Sequence, residues 1–359
     1  MKKILVAPVV FAAFLFAVPS AFAAETTNPE GTFSISENEE FGSVVVDVSV
    51  EDFEALGFEF GDSCDVVFSN GEKLEGIPYY NGYYTKTLEP LIVAYPGYES
   101  PRIAFNNGDP LWEVEGCQDG DTVTITLVEH GAFGDVQEAM NTVYTDDRAD
   151  YDSDEEFANF RAMKGGSIKE DYVFRGCSPV DSQYNRAETV DALLEKAGVK
   201  FILDLADNDE KLQNYLETDD KISEYVRSLV ENGEDYPIGL ASAYRSEKYM
   251  TALADGLKEM CSHEGPYYIH CTEGKDRTGF VAILLEMLCG ASKEEVLADY
   301  METYKNYYGI DEESDLFKAV VSVKFDDIYD WLSEKTVEGY LKEAGMTDEE
   351  IGALVEALS

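Results

Sequence analysis

The sequence predicts a small β-rich domain followed by an α/β domain whose mostly parallel sheet is flanked by helices. Three observations carry this. Up to about residue 128, β-branched runs are short and partly alternating. After residue 157, short apolar runs alternate with segments of helical period. Between the two lies an acidic stretch, residues 146–156, with few core residues.

The first residues read as an address. Lys2 and Lys3 precede an apolar run over residues 4–18, and Ala21-Phe22-Ala23 has the small-x-small form of a cleavage site. The run falls short of the ~20 residues a membrane span needs, and Pro8 and Pro19 interrupt its ends. No second apolar run reaches spanning length. Residues 1–23 are therefore expected to be a signal peptide, giving a secreted or periplasmic protein with no membrane span. The expected layout continues with a β-rich accessory domain over 24–145, an acidic linker over 146–156 and the α/β domain over 157–359.

In the β-rich part, residues 43–50, 91–95 and 122–128 have strand patterns. Asn70-Gly71, Asn81-Gly82 and Asn107-Gly108 suit hairpins, and Gly61-Asp62 and Gly120-Asp121 each open a strand. A small barrel or sandwich follows. Tyr79, Tyr80, Tyr83 and Tyr84 either line a binding face or pack. Export permits disulfides, so Cys64 and Cys117 could pair.

Composition excludes some partners. The chain has 73 acidic against 27 basic residues, a formal net charge of −46. Such a field repels nucleic acid and anionic lipid. There is no Cys-x-x-Cys pair, no Asp-x-Asp-x-Asp-Gly loop and only 3 His, so neither a structural zinc site nor a calcium site is expected, and no cofactor is assigned.

In the α/β part, strands are expected at 199–205, 236–240 and 267–270. Helices are expected at 210–230, 247–260, 278–289 (ending at Gly290) and 293–308. The helical tail contains a capping box at Thr347 and Glu350.

The decisive segment lies between the third strand and its helix: His270, Cys271, Thr272, Glu273, Gly274, Lys275, Asp276, Arg277, Thr278 and Gly279. A loop leaving a strand and entering a helix points successive N–H groups at one spot, and the helix N-terminus adds positive potential. Residues 272–277 would thus cradle an anion. Cys271 enters at the base, where the cradle favours its thiolate, a nucleophile needing no separate base. The planar fork of Arg277 can hold two oxygens of a phosphoryl group. Thr278 can donate its hydroxyl to the departing thiolate. Gly274 allows a sharp turn, Gly279 allows close packing of the helix start, and His270 supports the loop from behind through a backbone hydrogen bond.

His-Cys-x5-Arg-Thr-Gly resembles the signature of the protein tyrosine phosphatase superfamily. The Gly-Lys-Asp-Arg-Thr-Gly version is similar to the bacterial tyrosine/serine branch, some of whose members also hydrolyse phosphoinositides. The likeness runs from about Ala158 to Ile310. Asn159-Phe160-Arg161 with Gly165-Gly166 resembles that branch's opening motif, although Ala162 replaces an expected Asp and the spacing is longer by one. Val173-Phe174-Arg175 and residues 202–205 resemble its next two strands. The resemblance implies a cysteine-phosphatase domain over 157–359, a two-step reaction through a phosphocysteine and no metal. The expected substrate is a phosphorylated protein or a small phosphate monoester, with inositol phosphates and phosphoinositides as the alternative. A phosphate-binding or surface-binding module with weak catalysis is the rival of another class.

A leaving alkoxide or phenolate needs a proton, and a carboxylic acid is the usual donor. No Trp-Pro-Asp loop is present. Asp276 is the first choice and Asp207 the second, each with a purely structural role as the alternative. Lys275 adds charge at the rim. Arg175 and Arg245 serve either a second phosphate or ordinary ion pairs, and Cys177 is a candidate to resolve an oxidised Cys271.

Overall fold

Strand β7 (Thr122–Glu129) shows how the first half closes. Val123, Ile125 and Leu127 are buried while the threonines between them are half-buried, the period of a sheet with one face on a core. The same logic governs β1 (Glu30–Glu37), β2 (Val44–Val46), β3 (Ser63–Phe68), β4 (Lys73–Tyr80), β5 (Pro90–Val93) and β6 (Arg102–Phe105). They close in the order β1-β2-β6-β5-β4-β3-β7, with β7 returning to β1. Closure removes exposed strand edges. All of these pairings are antiparallel except β4 with β5. These elements come from a computed structural model that describes residues 28–39 and 41–359. The expected signal peptide lies outside the described residues.

Two local expectations change. The strand expected over 43–50 stops at Val46, because Ser49 accepts the Asp52 N–H at 3.0 Å and starts the helix Val50–Ala55. Cys64 and Cys117 are both buried and both free, so the possible disulfide does not form. Of the tyrosine group, Tyr79 and Tyr80 are core residues, while Tyr83 and Tyr84 are half-buried beside Tyr98 and Phe133.

The second half holds β8 (Arg161–Ala162), β9 (Val173–Gly176), β10 (Phe201–Asp204), β11 (Asp235–Pro237) and β12 (Tyr267–His270), in the order β11-β10-β12-β9-β8. β11, β10, β12 and β9 pair parallel, and β8 adds an antiparallel edge. Alternate side chains feed two cores. Phe201, Leu203, Tyr267 and Ile269 join one, while Ile202 and Tyr268 join the other. The helix Asp276–Leu288 is apolar on nearly all sides and is accordingly buried, with Phe280 to Leu285 essentially inaccessible. The single helix expected over 210–230 is two, Asp209–Thr218 and Glu224–Glu231, because Ser223 caps the second while bonding Asp191. The capping box at Thr347 and Glu350 is present. Among the described residues no helix is long and apolar enough to cross a membrane.

Residues 146–156 are not a free linker. The buried guanidinium of Arg186 bonds Asp146 Oδ1 at 2.7 Å, Thr145 O at 3.0 Å, the Tyr151 hydroxyl at 3.0 Å and Phe157 O at 2.8 Å. One cation thus gathers the acidic stretch onto the second half, a contact composition cannot show. The barrel is docked too: Thr87 N–H donates to Asp327 Oδ2 at 3.1 Å, and the Thr87 hydroxyl meets that of Tyr244.

Asp235, at the start of β11, is buried, and neither carboxylate oxygen has a hydrogen-bond partner among the described residues. Burial pushes its carboxyl well up, and Asp204 and Asp207 push it the same way. A raised carboxyl binds its proton more tightly folded than unfolded. The stability it allows is full below the unfolded value near 4 and is lost as pH rises through the folded value. Asp235→Asn should therefore raise Tm by several degrees at pH 8 and by little near pH 4. Thermal unfolding across that range checks this, and an equal gain at both ends would remove charge as the cause.

Candidate active site

β12 lies between β10 and β9, in register His270 with Asp204 and Gly176. The chain leaves β12 at Cys271, which is 3% exposed, and re-enters regular structure at Asp276. In a parallel sheet this carboxyl-end position, running into a helix N-terminus, is where ligands bind.

Three successive carbonyls of the loop are tied inward. Thr272 O accepts from Ser178 N–H at 3.2 Å. Glu273 O accepts from the Tyr307 hydroxyl at 2.6 Å and the Cys177 thiol at 3.4 Å. Gly274 O accepts from Arg175 Nη2 at 3.1 Å and Asn159 Nδ2 at 3.2 Å. With the carbonyls turned in, the N–H groups face out, and those of residues 272–277 meet no acceptor among the described residues. Gly274 makes this turn at φ +66°, where a Cβ would lie 2.3 Å from the Gly176 carbonyl. Gly279 is needed for packing, since a Cβ there would lie 2.9 Å from the Tyr300 ring.

Side chains complete the rim. Arg277 Nη1 bonds Leu240 O at 3.1 Å and Nη2 bonds the Thr272 hydroxyl at 3.2 Å, so the fork is braced across the loop. Thr278 is buried and its hydroxyl has no partner among the described residues. His270 Nδ1 lies 3.3 Å from Cys271 O and 3.8 Å from Asp204 Oδ1. Lys275 Nζ is 3.1 Å from Glu273 Oε1, an oxygen that also accepts from the Tyr144 hydroxyl. Burial opposes the Lys275 charge, but Asp276 and Glu273 outweigh it and hold the ammonium well above its usual range.

Asp276 differs from expectation. Its carboxylate accepts from Lys324 Nζ at 2.9 Å. Burial opposes its charge, but Lys324 and Lys275 outweigh that and hold the carboxyl below the usual carboxylate range. In the resting protein Asp276 is therefore ionised and has no proton to give. Asp207 is no better placed. It is fully buried, and its carboxylate faces Lys211 Nζ at 2.6 Å.

Three other expectations resolve. Arg175 is fully buried between Asp299 Oδ2, at 2.5 Å, and Gly274 O, so it cannot reach a substrate. Arg245 pairs with Asp327 at 3.0 Å and lies over Trp331. Cys177 follows Gly176 beside Cys271, but its thiol turns into the opposite core, 2.8 Å from the Tyr307 hydroxyl. Burial pushes that thiol up to about 12. Its hydrogen-bond contacts are the Tyr307 hydroxyl and Glu273 O.

Sequence reasoning missed Asp299, Thr303, Tyr307, Lys324 and Tyr144. The first three had a signal: they recur every fourth residue on the helix Lys293–Tyr308, a polar stripe facing the loop. Lys324 lies on a π-helical turn, Val321–Phe325, with no local cue.

Gly274→Ala should remove most affinity for inorganic phosphate, because a Cβ at that turn meets backbone on both counts of space and φ. Calorimetric titration of a folded variant checks it, and unchanged affinity would show that the cradle is not backbone-built.

Residues 155–359 match the profile of the tyrosine phosphatase family. A tyrosine-protein phosphatase of Nostoc commune is 30% identical over 129 residues, covering 30% of this chain and 41% of that protein. A Cupriavidus necator relative is 53% identical over 34 residues, 12% of its length. The chain thus spans less than half of the curated relatives it matches. Among solved structures, the core catalytic domain of the PP-IP phosphatase SIW14 from S. cerevisiae is 18% identical, covering 50% of this chain and 93% of that one at a TM-score of 0.28. P. aeruginosa TpbA is 17% identical over 49% of this chain and 91% of its own, also at 0.28. On the profile match over more than half of its length, the chain belongs to the tyrosine phosphatase family.

Proposed function

We propose that the chain hydrolyses phosphate monoesters of phosphorylated proteins, on tyrosine or serine, after export under a cleaved signal peptide. Residues 157–359 act as a cysteine-dependent phosphatase domain, a mostly parallel sheet flanked by helices. The β-rich region over 24–145, whose described part holds the barrel, is an accessory domain docked on it. One observation carries the reading: a strand-to-helix loop with its carbonyls tied inward and its N–H groups free, with Cys271 at the base and Arg277 across the mouth.

The chemistry follows from that arrangement. Three phosphoryl oxygens take the N–H groups of residues 272–277 and the Arg277 fork. The Cys271 thiolate forms the S–P bond as the P–O bond to the leaving group breaks. Charge spreading over the oxygens in the transition state meets donors already in place. The leaving oxygen needs a proton that resting Asp276 lacks. A substrate bound as the monoanion carries one, and Asp276 relays it to the leaving oxygen. Water then opens the phosphocysteine, with the Asp276 carboxylate as base and the unpartnered Thr278 hydroxyl donating to the departing thiolate.

Cys271→Ser should abolish turnover of p-nitrophenyl phosphate by roughly 10³ or more while inorganic phosphate still binds. Substantial residual turnover would sink the mechanism. Asp276→Asn should lower kcat/KM for alkyl phosphates by about 10²–10³ and for p-nitrophenyl phosphate far less. That ratio covers only the steps up to departure of the leaving group, where only a poor leaving group needs the proton, while loss of the base slows the later step for both substrates alike. In the intact enzyme kcat/KM for an alkyl phosphate should fall above about pH 6, where the ester loses its last proton. An equal fall in kcat/KM for both substrate types would leave Asp276 a structural role only.

A further inference from the structure

The segment that joins the barrel to the second half reaches the phosphate loop itself. Arg186, 2% exposed, pins Thr145 O and Asp146 Oδ1, so the preceding residue, Tyr144, has little freedom. Its ring stacks on Tyr307 at 4.6 Å and 14°, meets Tyr308 edge-on at 5.4 Å and lies 5.1 Å from the Arg186 guanidinium. Its hydroxyl donates to Glu273 Oε1. Tyr144 thus reaches the loop from outside the region that matches the family, residues 155–359.

Glu273 Oε1 has two donors, Tyr144 and the Lys275 ammonium at 3.1 Å. The loop's other carboxylate, Asp276, has Lys324 as its partner. Both loop carboxylates therefore hold a donor from outside the loop, and among the described residues the hydrogen-bond partner of Lys275, Glu273, is served by a second donor as well. An ammonium leaves a carboxylate at much lower cost when a second donor stays behind, because a half-buried charge left bare loses its full compensation. Burial and the adjacent Glu273 charge hold the Tyr144 phenol well above its usual range, so it remains a donor throughout the working pH range.

We propose that Tyr144 is a positioning residue for Lys275: it retains the Glu273 carboxylate while the ammonium transfers to an anionic oxygen of the bound phosphate ester. The proposal rests on the phosphatase reading above. In it, the connecting segment is part of the substrate site, and Lys275 is a movable cation rather than a fixed rim charge.

Steady-state kinetics on the full mature chain test it. Tyr144→Phe keeps the stacked ring and removes only the hydroxyl. Glu273 then depends on Lys275 alone, and KM for p-nitrophenyl phosphate should rise about fivefold, the worth of one hydrogen bond, with kcat within about twofold of the original. Adding Glu273→Gln removes the carboxylate that Lys275 hydrogen-bonds, leaving only the nearby charge of Asp276 on it, and should return KM to at most its original value. A rise in KM that persists in the double variant would mean Tyr144 acts only as packing, and no rise in the single variant would end the idea. Should Tyr144→Phe prove poorly folded, Glu273→Gln alone decides, because it should lower KM, and an unchanged or higher value overturns the proposal. A parent protein that neither turns over a phosphomonoester nor binds inorganic phosphate would overturn the phosphatase reading itself, and this inference with it.

Discussion

The buried carboxylate of Asp299 holds the guanidinium of Arg161 at 2.8 Å and that of Arg175 at 2.5 Å, and the shape of the loop that follows Cys271 hangs on this cluster. Arg175 continues to Gly274 O, and Arg161 bonds Asn159 Oδ1 at 2.7 Å, setting the Asn159 amide that also reaches Gly274 O. Removing one partner of a buried ion pair typically costs about 3–5 kcal/mol, because the other charge is left uncompensated in the interior. The cluster is thus a stiff support. By holding Gly274 O inward, as Ser178 and Tyr307 hold the carbonyls of Thr272 and Glu273, it helps turn the loop's N–H groups toward the mouth. The ordering cost of the anion site is met during folding, so a ligand finds its donors already aligned.

Charge is organised at two scales. The whole chain is strongly acidic, at −46, yet the loop neutralises its own acids locally. Glu273 has Lys275 and Tyr144, and Asp276 has Lys324. What remains at the mouth is Arg277, the free N–H groups and a helix N-terminus, all favourable to an anion. The same neighbours keep the Asp276 carboxyl ionised.

The barrel and the second half work as one body at the site. Thr87 anchors the barrel on Asp327, one turn beyond Lys324, and the helix Gly134–Met140 packs against the helix Asp315–Val320. A composition-based boundary at residue 146 cuts through the Arg186 cluster. The segment looks like a tether because it is acidic and poor in apolar residues, yet its acids and carbonyls are the acceptors one buried arginine needs. Polar segments of this kind lie outside the reach of hydrophobic patterning, which registers apolar faces alone.

The sequence by itself determined the strand-loop-helix around Cys271, the glycines at 274 and 279, and the alternation of strands and helices after residue 157. These depend on local rules: period, turn chemistry and the steric needs of a tight loop. Only the tertiary structure decided the ionisation of Asp276, the burial of Arg175, the turning of Cys177 into the opposite core and the arrival of Tyr144 at Glu273. Each depends on a partner far along the chain, 48 residues for Lys324 and Asp276 and 129 for Tyr144 and Glu273. The state of a charged or polar side chain is set by what folding packs against it, and no local pattern encodes that neighbour.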